Sequence, residues 1–492
     1  MSRRQDGLDN VANAATLKFE GTRFRDTLVK AYQEARDNLL VTNTLVADEK
    51  KHNRTGLLAG APPKFFRAGS HYQDPWTRDA SVNAWNAGSL LCPQAARNTL
   101  WAVCERLPNG RLIIQKDCNW WDKLIWVTAA WNHFATTGDE AFLAAAYEAT
   151  EESLNEMYAT RFDREFGLFQ GPSHLNDGVA GYPEPFVESP GSNSFILTHA
   201  GSETIMTLSS NAIACHAARC AARMANALRK APEIAREWDR KADAVREAIN
   251  RHLWLPKKGA YAYFMNGDAP HRGTVAEFQE ATGVALAVHF GIADADRAAR
   301  IVAQAKTTPF GTALVEPEIP RYSRENHISR HGRIIWPMAQ GYWATATAAT
   351  GNVALFQRET EALVGLAKGS DWDFCEIYSP ADGKPNGGWQ SGWEWNSCNH
   401  QTWSATAYLR MIHYGLFGMQ FEPAGIRFAP TLPEDWGNAT LSNLLYRGQP
   451  LEVALRGKGA RVGQFRINGK VATEPLLPAV AQGPRRVEIL LA

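Results

Sequence analysis

The sequence predicts a mainly α fold, a closed toroid of helical hairpins followed by a small C-terminal antiparallel β-sandwich. Three observations carry this. Apolar residues recur at helical spacing over most of the chain up to about residue 419. The helical stretches come in pairs, joined by short turns such as "TTGDE" and "TGN", with longer non-helical segments between pairs. After residue 419 the texture changes to short alternating runs bounded by Gly and Pro, the pattern of strands. The expected domains are therefore 1–419 and 420–492.

The helical stretches run in order from "RFRDTLVKAYQEARDNLLVT" through "DASVNAWNAGSLL", "PQAARNTLWAVCERL", "DKLIWVTAAWNHFATTG" and "DEAFLAAAYEATEESLNEMYATRF". They continue with "SETIMTLSSNAIACHAARCAARMANAL", "APEIAREWDRKADAVREAINRHLW", "EFQEATGVALAVHF" and "ADADRAARIVAQA". The series ends with "WPMAQGYWATATAATGN", "VALFQRETEALVGLAKG" and "QTWSATAYLRMIHYGLFG". Between pairs lie longer segments at 58–76, 105–120, 162–202, 254–275, 306–335 and 370–400, which hold much of the Trp, Gly and acid content. Hairpins in series bring alternate loops to one rim, where function concentrates. A helical solenoid is the alternative, but no fixed repeat period runs through the chain. The terminal strands are read in "GIRFAPTLPEDW", "ATLSNLLYRGQPLEVALRG", "RVGQFRINGKV" and "PRRVEILLA".

Composition narrows the function. The 492 residues carry 52 basic and 51 acidic side chains, a formal net charge of +1, which gives no support to nucleic acid as a partner. No window approaches the roughly 20 apolar residues of a spanning helix, so no membrane is expected. The start, "MSRRQDGLDNVANAATLKFEG", has no apolar core of a leader peptide. The seven cysteines (Cys92, Cys104, Cys118, Cys215, Cys220, Cys375 and Cys398) are odd in number and form no CxxC pair, so they read as buried thiols in a reducing, cytoplasmic setting. No metal, nucleotide or other cofactor motif occurs, and none is expected.

The unusual feature is 17 Trp against 13 Tyr. Core filling explains isolated Trp; Trp clustered with Gly, Asn and acids in loops asks for a ligand with a flat face. "DWDFCEIYSPADGKPNGGWQSGWEWNSCNHQTW" (371–403) is the densest such cluster, with Glu376 flanked by apolar residues and Glu394 between two Trp. "YQDPWTRDA" places Trp76, Arg78 and Asp79 at a helix entrance, and "CNWWDKLIW" repeats the design with Trp121 and Asp122. A helix cap plus an ion pair would also explain these residues. Asp177 sits in "QGPSHLNDGVAGYPE", where Asn-Asp-Gly is equally good turn chemistry. Two separated carboxylates amid Trp platforms suit glycoside hydrolysis, one acid protonating the leaving oxygen and the other activating water, roughly 6.5–9.5 Å apart for inversion.

These motifs, in order over about residues 72–492, resemble the six-hairpin glycosidases, the (α/α)6-barrel hydrolases. The nearest resemblance is to glycoside hydrolase family 63 and to the amylo-α-1,6-glucosidase domain of glycogen debranching enzymes. The last strands resemble the C-terminal domains of families 65 and 78. "DPWTRDA" is similar to the segment these families place near the reacting sugar. "LNDGVAG" resembles their general-acid loop, which implies Asp177 as acid. "RHGRIIWPMAQGYWATA" maps Arg333 and Trp336 onto the substrate site, and "EIYSPADGKP" implies Glu376 as general base. "QTWSATAYLRMI" adds Gln401 and Trp403.

The expected activity is inverting, exo-acting hydrolysis of a terminal α-glycosidic bond, on an α-glucoside first and an α-rhamnoside second. Asp177 and Glu376 are the catalytic pair. Trp76, Arg78, Asp79, Trp121, Asp122, Arg333, Trp336, Trp389, Trp393, Glu394, Gln401 and Trp403 are the expected substrate-binding residues, and the partner is a carbohydrate. The rivals are a sugar isomerase or epimerase, for which His174, His327, His331 and His400 are the loop candidates, a phosphorylase, and a non-catalytic carbohydrate-binding protein.

Overall fold

The computed structural model describes residues 15–21, 24–114, 119–480 and 483–492; Cys118 and most of the start read for a leader lie outside the described residues. The main helices, in chain order, are α1 (Arg25–Asp37), α2 (Thr77–Asn83, prolonged through Ala84–Gly88 and Ser89–Leu91) and α3 (Pro93–Ala102). Next come α4 (Asp122–Thr137), α5 (Glu140–Thr160), α6 (Leu208–Ala227) and α7 (Pro232–His252). The series closes with α8 (Ala281–His289), α9 (Ala295–Ala303), α10 (Pro337–Ala349), α11 (Val353–Gly369) and α12 (Thr402–Arg410, prolonged through Met411–Leu416).

The turns within pairs are set by local chemistry. Gly138, at φ 74°, ends α4, and the Asp139 side chain caps α5 by accepting from the Phe142 N–H. The "TGN" turn repeats this, with Gly351 at φ 75° and Asn352 accepting from the Leu355 N–H at the start of α11. Pro232 and Pro337 open α7 and α10, where a missing N–H costs nothing.

Even- and odd-numbered helices differ in burial. Every residue of α4 except Thr137, and of α10 except Ala349, is buried. By contrast α7 buries Ala235, Trp238, Ala242, Val245, Ala248 and Ile249 on one stripe. The even helices pack in sequence: α2 on α4, α4 on α6, α6 on α8, α8 on α10, α10 on α12, and α12 back on α2. The odd helices cover them, as α7 does α6, α11 does α10 and α1 does α12. Small residues allow close approach: a Cβ on Gly341 of α10 would meet the Ala407 Cβ of α12 at 2.8 Å.

Two helices start later than their periodicity suggests. Met206–Thr207 pairs with Phe264–Met265 before α6 begins, and Gln279–Glu280 pairs with Val315–Glu316 before α8. In both places ribbon hydrogen bonds take the backbone groups that a longer helix would have used.

The strands that concern the site and the C-terminal region are β1 (Thr16–Gly21), β2 (Trp389–Gln390), β3 (Trp393–Glu394), β4 (Met419–Glu422), β5 (Gly425–Phe428) and β6 (Gly437–Tyr446). They continue with β7 (Gln449–Arg456), β8 (Val462–Ile467), β9 (Lys470–Val471), β10 (Leu476–Pro478) and β11 (Arg485–Leu491). Two sheets form, in the orders β1-β6-β7-β11-β8-β9 and β4-β5-β10. Phe428 meets Phe465, and Phe421 meets Tyr446, across them. One expectation is corrected: β7 and β11 run parallel, because the chain makes β8, β9 and β10 before returning beside β7. Strand β1, from the far end of the chain, pairs antiparallel with β6.

Candidate active site

Each hairpin reverses the chain twice, so the segments that lead into the even helices arrive at the same end. Those before α2, α4, α6, α10 and α12 line one cavity of about 480 Å³. Its lining includes nine of the fourteen residues expected from sequence: Trp76, Arg78, Asp79, Asp122, Asp177, Trp336, Glu376, Gln401 and Trp403.

Arg78, on the first turn of α2, organises one wall. Its Nη1 donates to the His174 and Leu175 carbonyls at 2.9 Å each, and its Nη2 donates to Asp177 Oδ2 at 2.7 Å. Asp122 Oδ2 lies 3.7 Å from its Nε. Burial works against the Arg78 charge, but Asp122, Asp177 and Asp79 outweigh it and hold the guanidinium protonated. Burial likewise pushes Asp177 up; the Arg78 charge and hydrogen bond prevail and hold its carboxyl below the usual range. Asp79 has no such contact and is pushed up to about 7, by burial first and by the Glu376 and Asp177 charges after it, against the pull of Arg78.

The acid-bearing loop is held from behind by a buried polar network. Asn176 Nδ2 donates to the Tyr263 hydroxyl at 2.6 Å, the Tyr182 hydroxyl donates to the Asn176 carbonyl at 2.6 Å, and Tyr182 and Tyr263 stack. Gly178 is required by space: a Cβ there would lie 2.4 Å from Gln390 Oε1 and 2.5 Å from His331. The turn reading of Asn176-Asp177-Gly178 is thus compatible with a place in the cavity.

The opposite wall carries Glu376. Its Oε2 accepts from Arg330 Nη2 at 3.2 Å and lies 3.4 Å from the Cys398 N–H. Arg330 also donates to the Gly387 carbonyl and sits over the rings of Trp336 and Trp395. Trp336 donates to the Arg330 carbonyl and packs edge-on against Trp403. His331 stacks on Trp336, with Nε2 4.0 Å from Asp177 Oδ1; burial lowers it to about 3, so it is neutral. Gln401 Oε1, Trp403 Nε1 and Asn119 Oδ1 are buried without a hydrogen-bond partner among the described residues.

Five expected residues stand elsewhere. Trp121 is buried beside Trp120, where the N-terminus of α4 turns it away from the cavity. Arg333 donates to Glu316 Oε1 at 2.7 Å, which draws it out along the 315–316 ribbon. Trp389 stacks on His327 at 3.8 Å. Trp393 and Glu394 lie on the outer strand of the β2–β3 hairpin, Trp393 exposed and stacked on Trp395, Glu394 accepting from Asn386 Nδ2 at 2.6 Å. Sequence reasoning missed Tyr72, Asn119, Ser194, Phe195, Arg330, Gln390 and Trp395 as lining residues, and saw His331 only as a rival base. Arg330 carried one signal, its place in the same "SRHGRIIWP" segment as Arg333.

Among the described residues no group of three or more His, Cys, Asp or Glu is placed to hold a metal ion, and no helix is long and apolar enough to cross a membrane.

Residues 124–404 match the family described as mannosylglycerate hydrolase MGH1-like glycoside hydrolase domain, and residues 419–473 match the glycosyl hydrolase family 65 C-terminal domain. No curated protein matches in sequence. Among solved structures the chain is similar to a sialidase, with TM-score 0.68 and 16% identity over 97% of this chain and 42% of that one. It is similar to a family 78 rhamnosidase from a Bacillus species, with TM-score 0.54 and 16% identity over 90% and 42%. The chain thus spans 42% of the length of each of these two. It is also similar to a family 63 mannosylglycerate hydrolase from Thermus thermophilus with Tris and D-glycerate, with TM-score 0.55 and 16% identity over 78% and 100%. Another structure of that hydrolase holds glucose.

Proposed function

Because this chain belongs to the mannosylglycerate hydrolase MGH1-like glycoside hydrolases, we propose that it is an inverting, exo-acting enzyme that cleaves a terminal α-glycosidic bond. The carrying observation is that Asp177 and Glu376 line one cavity at different depths: the Asp177 side chain is 36% exposed and that of Glu376 only 6%. In this reading the terminal sugar enters first and its leaving group stays at the mouth beside Asp177. Asp177 protonates the glycosidic oxygen. Glu376, oriented by Arg330, takes a proton from the attacking water on the far side of the ring. Trp336 and Trp403 pack edge-on to each other in the wall of the cavity. An α-glucoside is the first choice of sugar and an α-rhamnoside the second.

The helix contacts, closing from α12 back to α2, support an (α/α)6 barrel over residues 1–419. The two strand sheets support a β-sandwich over 420–492, joined by β1.

Arg78 keeps Asp177 ionised, so the reading requires Asp177 to take up a proton when substrate binds. A second reading follows from Asp79, which already holds a proton near neutral pH and could donate it. Substitution separates them. Glu376→Gln is expected to lose about 10²–10⁴-fold in kcat, with a folded spectrum unchanged; near-normal turnover removes the base assignment. Asp177→Asn should lose much less on an aryl glycoside with a good leaving group than on an alkyl glycoside. If Asp79→Asn shows that difference and Asp177→Asn does not, Asp79 is the acid. NMR of the first-formed sugar anomer checks inversion.

A further inference from the structure

The mouth of the cavity differs in chemistry from its floor. Glu376, Asp79, Trp336, Gln401 and Trp403 at the floor are all buried. Among the described residues, the strongly exposed aromatic side chains are Trp76, at 50%, and Trp393, at 46%. Trp76 lines the cavity itself. Trp393 does not line it but stacks at 5.9 Å and 22° on Trp395, which does. An exposed indole leaves apolar area in water that a flat apolar face can cover, so Trp76 on the cavity and the Trp393–Trp395 stack that reaches it mark a contact surface.

The charges that line the cavity have one sign in excess. Asp79 keeps its proton to about pH 7, which leaves three acids among the described lining residues, Asp122, Asp177 and Glu376, against two guanidinium groups, Arg78 and Arg330. Both guanidinium groups are already engaged, Arg78 by Asp177 and two carbonyls, Arg330 by Glu376 and the Gly387 carbonyl. A carboxylate on the leaving group would therefore find both lining cations already engaged, and would be desolvated without a partner.

We propose that this aromatic lip selects a neutral leaving group with a flat face, a second sugar ring or an aryl group, over a small carboxylate-bearing leaving group such as glycerate. The proposal rests on the glycosidase reading above, with the leaving group at the mouth beside Asp177. It sets this chain apart from the hydrolase whose activity names its family.

Two measurements test it. The first compares α-glucosylglycerol with α-glucosylglycerate, which differ at the leaving group only in CH₂OH against carboxylate. The expected result is a kcat/KM at least tenfold higher for the glycerol compound; equal or reversed values overturn the proposal. The second compares Trp393→Ala and Trp76→Ala on 4-nitrophenyl α-glucoside and on α-glucosyl fluoride, whose leaving group has no ring. The loss in kcat/KM on the aryl glucoside should exceed the loss on the fluoride at least fivefold, mostly through KM. Equal losses on both substrates overturn it. Should α-glucosides not turn over, the choice of sugar fails while the lip does not, and the corresponding α-rhamnosides and α-mannosides decide the leaving group by the same ratios. Full turnover by Glu376→Gln would instead strike at the catalytic reading.

Discussion

Asp79, Glu280 and Glu359 are carboxylic acids almost cut off from water, and burial pushes each up to about 7. Glu359 accepts from the Thr312 N–H through Oε2, while its Oε1 has no partner. In the unfolded chain these groups lose their protons near pH 4; in the folded protein they keep them to about pH 7. The folded state thus binds more protons between those values, so stability is greatest at the acid side and falls as pH rises through the window, by up to about 1.4 kcal/mol per unit for each group. Glu359→Gln removes one such group. Urea denaturation at pH 5 and pH 8 is expected to show a smaller stability loss across that interval in the variant than in the parent; an unchanged slope would mean that Glu359 is ionised in the fold. The residue scale is also where sequence reading is least complete. The "SRHGRIIWP" segment is legible as part of the site, but its pattern points to Arg333 where the cavity holds Arg330 and His331. The choice turns on Glu316, distant in sequence, which draws Arg333 away.

The elements show how a polar group can be central without facing the cavity. Arg410 ends α12, is 3% exposed, and has no carboxylate partner among the described residues. Its guanidinium instead lies 4.2 Å from the centre of Trp85, 4.8 Å from Tyr414 and 5.1 Å from Tyr342. Nε donates to Thr345 Oγ1 on α10, and Nη1 lies 3.4 Å from Asn86 Oδ1 in the extension of α2. It therefore ties α2, α10 and α12 where the circuit of even helices closes. Arg410→Ala leaves a cavity and is expected to cost about 3–5 kcal/mol in chemical denaturation. Arg410→Met keeps much of the packing volume without a buried charge and should recover at least half of that loss. Equal losses in both would place the stabilisation in the charge itself. Helix pairing, turn chemistry and the run of even helices were all legible, since they follow from local apolar periodicity and from Asp, Asn and Gly at fixed offsets. The later starts of α6 and α8 were not, because the ribbons that displace them pair residues far apart in the chain.

At the scale of the molecule the first strand and the last domain are one structure. β1 completes the six-stranded sheet on β6, with Leu17 and Phe19 buried. Phe19 meets Trp436 edge-on, and Trp436 Nε1 donates to Glu361 Oε1 on α11, which carries the contact into the helices. Phe19→Ala is expected to lose about 3–5 kcal/mol and to uncover the edge of β6. Urea unfolding measures the loss, and light scattering on concentration detects edge pairing. A variant with parental stability would show that β1 adds little to the sheet.

The sequence by itself determined the mainly α character, the change to strands near residue 419, and the glycoside hydrolase family, because periodicity, turn residues and ordered motifs are all local features. It also picked out most of the cavity, including Asp177 and Glu376, because their motifs lie in the long segments that lead into even helices, and those segments arrive at one end. The tertiary structure alone decided which Trp of a crowded segment is wall, which is lip and which is packing. Adjacent residues on a strand point to opposite faces, so Trp393 and Trp395 fall on one stacked face while Glu394 turns to Asn386. It alone decided the ionisation of the acids too, since burial raises both Asp177 and Asp79, and no spacing along the chain says that the Arg78 guanidinium overcomes it at the one and not at the other.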